Sequence, residues 1–318
     1  MQSIITATGS YLPEKIMTND DLSSMVDTND EWIRERTGIS MRHIVAKNEL
    51  TSHMAAKAAE RALAMAGYDA GMIDGVVVAT STPDSTMPST AAKVQAALGI
   101  SKGAALDVAA ACTGFVYALS VAHGWIQTGI SKRVLVIGAE SMSRIIDWSD
   151  RGTCILFGDG AGAVILEAAE DTTRGIRAIS LEAQGEFGPL LGTNGGVAST
   201  QTAGTLFMEG QEVFRHGVEK MSSTTTNTLE KAGLSIAQMD WLIPHQANAR
   251  MIKMIARGLR VPEAKCVVTV GHHANTSAAT IPLALDEANR DGRLKKGNII
   301  AMPALGAGLT WGCCVISW

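Results

Sequence analysis

Residues 106–122 read LDVAAACTGFVYALSVA. A strand-like apolar entry gives way to small residues, and a helix-like apolar stretch follows. The apolar part, 108–122, is shorter than the ~20 residues that cross a bilayer, and Asp107 precedes it, so a helix buried inside the protein fits better. A buried helix fed by a strand implies stacked layers of helix and sheet. Composition agrees: of 318 residues, 46% are hydrophobic, 4% aromatic and 18% charged, with 32 glycines. Apolar mass carried by small and aliphatic side chains lets layers approach closely. Such a chain is too hydrophobic and too weakly charged for intrinsic disorder. With 27 Lys+Arg against 31 Asp+Glu, a broadly basic nucleic-acid surface is not expected, although a local basic stripe is open.

Outward from that stretch, β-branched runs at 75–81, 133–138, 266–270 and 298–302 alternate with helical periodicity at 53–66, 89–98 (Ser89 as N-cap), 210–232 and 281–290. The alternation predicts an α/β protein with largely buried sheets. Three landmarks recur in order. Ile73-Asp74 before GVVVATSTP matches Met239-Asp240 before WLIPHQAN, 166 residues later; Cys112-Thr113-Gly114 matches Asn275-Thr276-Ser277; RVLVIGAE at 133 matches NIIAMPAL at 298. A duplicated α/β unit follows, with halves 1–168 and 169–318, a seam near 166–172, and no low-complexity linker. The five cysteines are odd in number and form no CxxC pair, which argues against a disulfide framework or zinc site and for a reducing, cytoplasmic setting. The opening MQSIITATGSYLPEK shows no signal-peptide pattern, so a soluble protein without membrane attachment is expected.

Cys112 would sit where a strand turns into a helix, beside the helix N-terminus, whose dipole and unpaired N–H groups lower a thiol pKa. His245, in WLIPHQAN, and Asn275, in GHHANTS, occupy two more strand-to-helix junctions. Singly, each has a plain structural alternative: a buried cysteine, a turn histidine, an asparagine cap. Together, they are three groups that a repeated fold can bring to one place. Adjacent His272 and His273 raise the question of a metal, but with no carboxylate or cysteine pair nearby in sequence none is expected. FGDGAGAVILE (157–167) and ALGAGLTWGCCVIS (304–317) run into strands rather than helices, so both read as tight turns between strands and not as phosphate loops.

AAACTGF, PHQAN, ANTSAA, DRGT with FGDGAGA, and TNDEWIRERTGI together resemble the β-ketoacyl-acyl-carrier-protein synthase III family, in order from Thr8 to Trp311. The resemblance implies a thiolase-like fold, two similar α/β halves in five αβαβα layers, and a homodimer. It implies the initiating condensation of bacterial fatty-acid synthesis. Acetyl-CoA or a somewhat larger acyl-CoA acylates Cys112, and malonyl-acyl carrier protein loses CO₂ and attacks, giving a 3-oxoacyl product. His245 and Asn275 complete the triad, and backbone N–H groups of Cys112 and Ala307 receive the oxyanion. Trp32, Arg36 and Arg151 hold CoA; Gly210, Phe214 and Asn248 line the pantetheine channel. Met87, Phe157 and Leu305 bound the acyl pocket, Met87 reaching the partner's pocket across the dimer. No metal or redox cofactor is implied, since the CoA thioester is itself a substrate.

An acidic carrier protein calls for a basic docking patch. On a helix spanning 246–260, Arg250, Lys253, Arg257 and Arg260 share an arc of about 80°, opposite Met251, Ile252, Ile255 and Leu259; Arg215 matches a further basic position. Two departures stand out. Leu305-Gly306-Ala307-Gly308 replaces an aromatic and three glycines, and Met87 replaces an aromatic, which points to longer or branched primers. Three rivals remain. A thiolase would need a cysteine where Ala304 stands, and Cys313 and Cys314 lie beyond it. A synthase III-like enzyme of secondary metabolism would share the triad and differ in acyl group. A non-catalytic acyl-CoA or carrier-protein binder would retain binding after Cys112→Ala.

Overall fold

In the computed structural model, which describes residues 2–170 and 173–318, the first sheet comprises β1 (Gln2–Tyr11), β2 (Gly75–Ala79), β3 (Ala104–Val108), β4 (Arg133–Ser141) and β5 (Asp159–Ala169). Their order is β1-β5-β4-β2-β3; β2 runs parallel to both neighbours, and β5 is antiparallel to β4 and β1. The second sheet comprises β6 (Gly175–Ala183), β7 (Trp241–Leu242), β8 (Ile299–Gly306) and β9 (Thr310–Ser317), in the order β7-β8-β9-β6.

Helix α1 (Asp30–Thr37) carries Trp32 and Arg36. Strand periodicity assigns the layers. Val76 and Val78 face one way, against α2 (Thr51–Ala66) and α3 (Thr90–Ala97), through Met54, Ala58, Ala62 and Val94. Val77 and Ala79 face the other way, into a core shared with Phe115, Leu119 and Ala122 of α4 (Gly114–Gln127) and with the second sheet's Ile300, Met302 and Ile316. On the far side of that sheet, Leu305 and Val315 pack against α5 (Gly210–Lys231) and α6 (Ala249–Gly258), through Val213, Met221, Met251 and Ile255. Ile281, Ala284 and Leu285 of α7 (Thr280–Arg290) join α4 in the middle. Five α-β-α-β-α layers result. Each fully buried aliphatic side chain contributes about 1.5–3 kcal/mol relative to exposure.

The internal repeat has a physical basis. Asp74 donates its N–H to the Arg133 carbonyl at 3.0 Å and accepts from the Arg133 N–H at 2.9 Å. Asp240 does the same to Ile299, at 2.9 and 2.8 Å. Each aspartate pins the start of a parallel neighbouring strand. Of the seam near 166–172, residues 171 and 172 lie outside the described residues.

Three stretches depart from the sequence reading: the start of the central helix, residues 266–270 and residues 157–167. Val108 ends β3, so the central helix begins only at Gly114. No helix is long and apolar enough to cross a membrane among the described residues. Residues 266–270 are not a strand; only Cys266 bridges Leu242. The Gln246 side chain satisfies that backbone instead, accepting from Thr269 N–H at 2.8 Å and donating to the Val267 carbonyl at 3.1 Å. The 157–167 run is no turn between strands, because Asp159–Ala169 is strand β5 itself. Its glycines make room: a Cβ on Gly162 would stand 2.7 Å from the Leu283 nitrogen of α7. The 304–317 run does form the expected turn, between β8 and β9.

Candidate active site

The turn that carries Cys112 grows from β3. After Val108 the chain passes through one 3-10 turn, Ala111–Thr113, and enters α4 at Gly114. Ala111 has φ +46°, a left-handed conformation that non-glycine residues adopt only where surrounding packing enforces it. Cys112 is partly exposed, on a cavity wall. Burial, reinforced by the charge of Glu140 and opposed by the Ser277 hydroxyl, pushes its thiol up to about 12. The helix N-terminus favours the thiolate, as the sequence suggests, but desolvation wins, and the resting group is a thiol.

His245 follows β7, its N–H bonded to the Pro303 carbonyl at 2.8 Å. Burial holds its imidazole down at about 3, so it is neutral. Its Nδ1 lies 2.8 Å from the Thr280 hydroxyl, which in turn lies 3.0 Å from the Ser277 carbonyl. Thr280 has one proton to give. Donated to Nδ1, it leaves Nε2–H for the cavity; donated to Ser277, it leaves Nε2 bare.

Asn275 is not at a strand end, as its sequence context suggests, but follows the short helix Val270–His273. It is fixed by an isolated bridge to Phe157. Its Oδ1 accepts from the Ser277 N–H at 2.9 Å, which settles the amide orientation and leaves its NH₂ as the free donor.

One cavity of about 270 Å³ brings these groups together, lined by Cys112, His245, Asn275, Phe157, Leu305 and Ala307. Gly210, Phe214 and Asn248 line it too, and the same three line an outer hollow with Arg36 and Arg250. Asn248 caps α6, accepting from the Met251 N–H at 2.8 Å, so its NH₂ remains for a ligand. A thiol, two neutral donors and an apolar pocket with a basic outer mouth suit acyl transfer through a cysteine.

The comparisons agree. A family model for 3-oxoacyl-[acyl-carrier-protein] synthase III matches residues 106–185, and the model for its C-terminal part matches 229–318. Beta-ketoacyl-[acyl-carrier-protein] synthase III of Paracoccus denitrificans is 53% identical over 100% of this chain and 99% of its own. The 3-oxoacyl-[acyl-carrier-protein] synthase III of Aquifex aeolicus VF5 superposes with a TM-score of 0.95 at 44% identity, covering 99% of this chain and 100% of that one. The priming β-ketosynthase of the R1128 polyketide pathway gives 0.94 at 33%, over 99% of this chain and 96% of its own. The chain belongs to the β-ketoacyl-acyl-carrier-protein synthase III family. It has the thiolase-like fold of that family and is an acyltransferase, the initiating condensing enzyme of fatty-acid synthesis.

Several site residues of this synthase can now be placed. The Arg36 and Arg151 guanidinium carbons stand 4.4 and 4.8 Å from the Trp32 ring centroid, in cation–π range. Met87 is 80% exposed and does not line this chain's own cavity. In α6, Met251, Ile252 and Ile255 are buried and Arg250, Lys253 and Arg257 exposed, as the stripe predicts; Arg260 lies beyond the helix end. Lys253 pairs with Glu263 at 3.2 Å, and Arg215 with Glu212 at 2.7 Å. Arg250 and Arg257 form no ion pair among the described residues. The carboxylate missing beside His272 and His273 in sequence is supplied in space by Glu287, 2.8 Å from His272, with Arg293 at 3.3 Å from the same carboxylate. Sequence reasoning missed Gln246, Ser277, Thr280, Gly306 and Glu140. Only Glu140 carried a signal: an acid inside the apolar run RVLVIGAES.

Proposed function

We propose that an acyl-CoA primer acylates Cys112 and that malonyl-acyl carrier protein then condenses with the acyl group by decarboxylation, giving 3-oxoacyl-acyl carrier protein, CoA and CO₂. The observation that carries this reading is the single cavity shared by Cys112, His245 and Asn275, with the Asn275 NH₂ oriented by Ser277. Decarboxylation places negative charge on the malonyl thioester oxygen, where the NH₂ of Asn275 and Nε2–H of His245 stabilise it in a dry site. The Cys112 and Ala307 N–H groups receive the oxyanion formed by attack on the acyl-cysteine. Trp32, Arg36 and Arg151 take the CoA nucleotide, adenine stacking on the indole in place of one guanidinium. Gly210, Phe214 and Asn248 pass the pantetheine arm, while Phe157 and Leu305 bound the acyl chain. The CoA thioester is a substrate, and no resident metal or cofactor is part of the scheme.

Arg250 and Arg257, with Lys253 and Arg215 around them, form the carrier-protein face. The reading places the enzyme in the cytoplasm, as a homodimer of two-half subunits (1–168 and 169–318). An open edge supports the dimer: β3 has one neighbour, its apolar Leu106 and Val108 are half-buried, and it leads directly to the Cys112 turn. Met87, exposed here, would then reach the partner's acyl pocket. The test is intact-mass spectrometry with a panel of acyl-CoAs, then malonyl-acyl carrier protein. One adduct on Cys112 is expected, lost as 3-oxoacyl product forms; no adduct with any primer refutes the scheme. The same panel identifies which acyl groups this synthase takes as primer.

A further inference from the structure

Glu140 is a fully buried acid for which the scheme above has no task. Donors converge on it: the Ser81 N–H at 3.1 Å from each oxygen, the Thr82 hydroxyl at 2.6 Å, the Thr80 hydroxyl at 3.3 Å and the Ser277 hydroxyl at 3.0 Å. No cation pairs with it among the described residues. Ser277 has a single hydroxyl proton, and with that proton on Glu140 its oxygen accepts from the Cys112 thiol, 3.4 Å away. Sulfur, hydroxyl and carboxylate form one unbroken line. The serine is held there at some cost, since its φ is +51° and its N–H is fixed by Asn275.

We propose that Ser277 and Glu140 are a proton relay for Cys112. Ser277 is the catalytic hydroxyl touching the sulfur, and Glu140 is a positioning and accepting residue that acts through it. This rests on the reading that Cys112 is acylated. As sulfur bonds to the acyl carbonyl carbon, the S–H bond breaks. The thiol proton passes to the Ser277 oxygen while the Ser277 proton passes to Glu140. The tetrahedral adduct collapses, and CoA leaves as a thiolate that takes a proton from solvent. Glu140 keeps its proton until the carbon–carbon bond forms and Cys112 is expelled as a thiolate. The proton then returns through Ser277. One solvent proton is consumed per turnover, matching loss of the malonyl carboxylate as CO₂.

The groups bonded to Glu140, on Thr80, Ser81, Thr82 and Ser277, are all uncharged, and the titratable group on which its charge acts is Cys112, one hydroxyl away. Burial raises the Glu140 carboxyl to about 7, so acylation should rise with pH through that region as the acceptor ionises.

The test is single-turnover acylation by acyl-CoA, read as the Cys112 adduct by quench and intact mass, from about pH 5.5 to 9. Ser277→Ala keeps the Cβ and the N–H bond to Asn275. It is expected to slow acylation on the order of 10²-fold and to abolish the limb near pH 7, the usual size of a lost acid–base group. Glu140→Gln should behave alike, and Glu140→Asp should restore part of the rate with a displaced limb. Should Glu140→Gln not fold, Ser277→Ala decides alone. An adduct forming in Ser277→Ala at the parental rate and with the parental limb overturns the relay but leaves the Cys112 chemistry standing. Slower acylation with an unmoved limb also overturns it, because a structural role would produce that result. No adduct on the parental Cys112 overturns both.

Discussion

Replacing Gly306 with alanine tests how Cys112 is held. Gly306 closes β8, opposite Thr310 of β9, and its backbone lies against the Cys112 turn. A Cβ there would stand 2.7 Å from the Cys112 nitrogen, 2.9 Å from the Thr113 nitrogen and 3.0 Å from the Ala110 carbonyl oxygen. All three are backbone atoms, so no side chain can swing aside. Restoring ordinary contact at about 3.5 Å takes a shift of roughly 0.8 Å between strand and turn. Gly306 is not among the glycines with positive φ, so the effect is steric rather than conformational. Overpacking of this kind costs about 1–3 kcal/mol, which in a chain of this size lowers Tm by roughly 1.5–4.5 °C. Displacing a reacting atom by ~1 Å costs on the order of 10² in rate. The assay pairs thermal unfolding with the initial rate of Cys112 acylation. Gly124→Ala is the control: in the interior of α4, its Cβ meets nothing within 4 Å, and it should stabilise by up to about 1 kcal/mol with acylation unchanged. Acylation of Gly306→Ala at the parental rate would refute the claim that β8 sets the position of the sulfur.

Four further outcomes are expected. Thr280→Val removes the partner of His245 Nδ1, and condensation should fall about 10–100-fold, the rate equivalent of a lost buried hydrogen bond, with acyl loading within a few-fold; unchanged condensation would remove Thr280 from the mechanism. Arg257→Glu should raise KM for malonyl-acyl carrier protein several-fold, in a salt-dependent way, and spare loading from acyl-CoA; an equal effect on loading would place Arg257 at the CoA site. His273, like His245, is held neutral by burial, down to about 4, so the stability it contributes is complete above about pH 6.5 and is lost as pH falls toward 4, on the order of 1–3 kcal/mol. Glu140 has the opposite sign, since its raised pKa makes the fold bind an extra proton between about 7 and the ordinary carboxylate range. The loss of Tm from pH 7 to pH 5 should therefore be smaller in His273→Asn than in the parent, and an equal loss would contradict the assignment. Met87→Phe should depress loading of isobutyryl- and octanoyl-CoA more than acetyl-CoA; strict acetyl selectivity in the parent would show that Met87 does not widen the pocket.

Local patterns in the sequence carried much of the architecture. Cys112 was placed correctly because strand, small residues and helix follow one another within 17 residues. The repeat was visible because Asp74 and Asp240 each pin a strand start at the same spacing. Tertiary substitutions for local structure were invisible. Residues 266–270 are rich in β-branched side chains and read as a strand, yet the Gln246 amide bonds that backbone from 21 and 23 residues away. Ser277 and Glu140 meet across 137 residues, and neither position has a local pattern that names its partner. The glycines of 157–167 were misread for the same reason: the helix they accommodate, α7, lies more than 100 residues downstream.

Burial also reverses the simplest view of how the cysteine is activated. It raises the Cys112 thiol, lowers His245 and raises Glu140, so each group in the pocket is moved toward its neutral form. A neutral, apolar pocket suits an acyl chain, and low local dielectric strengthens whatever donors face the charges the scheme develops, on the enolate oxygen and on the tetrahedral oxyanion. The same burial makes a free thiolate costly, and the α4 N-terminus does not offset it. In the proposed scheme acylation needs a proton acceptor within reach of the sulfur, whereas condensation needs neutral donors, the Asn275 NH₂ and the His245 Nε2–H that a Thr280 proton on Nδ1 leaves. The two half-reactions should separate under mutation: changes at Ser277 fall on the first, changes at Thr280 on the second. A variant at either position that slowed both equally would mean that the pocket acts through its shape and not through its protons.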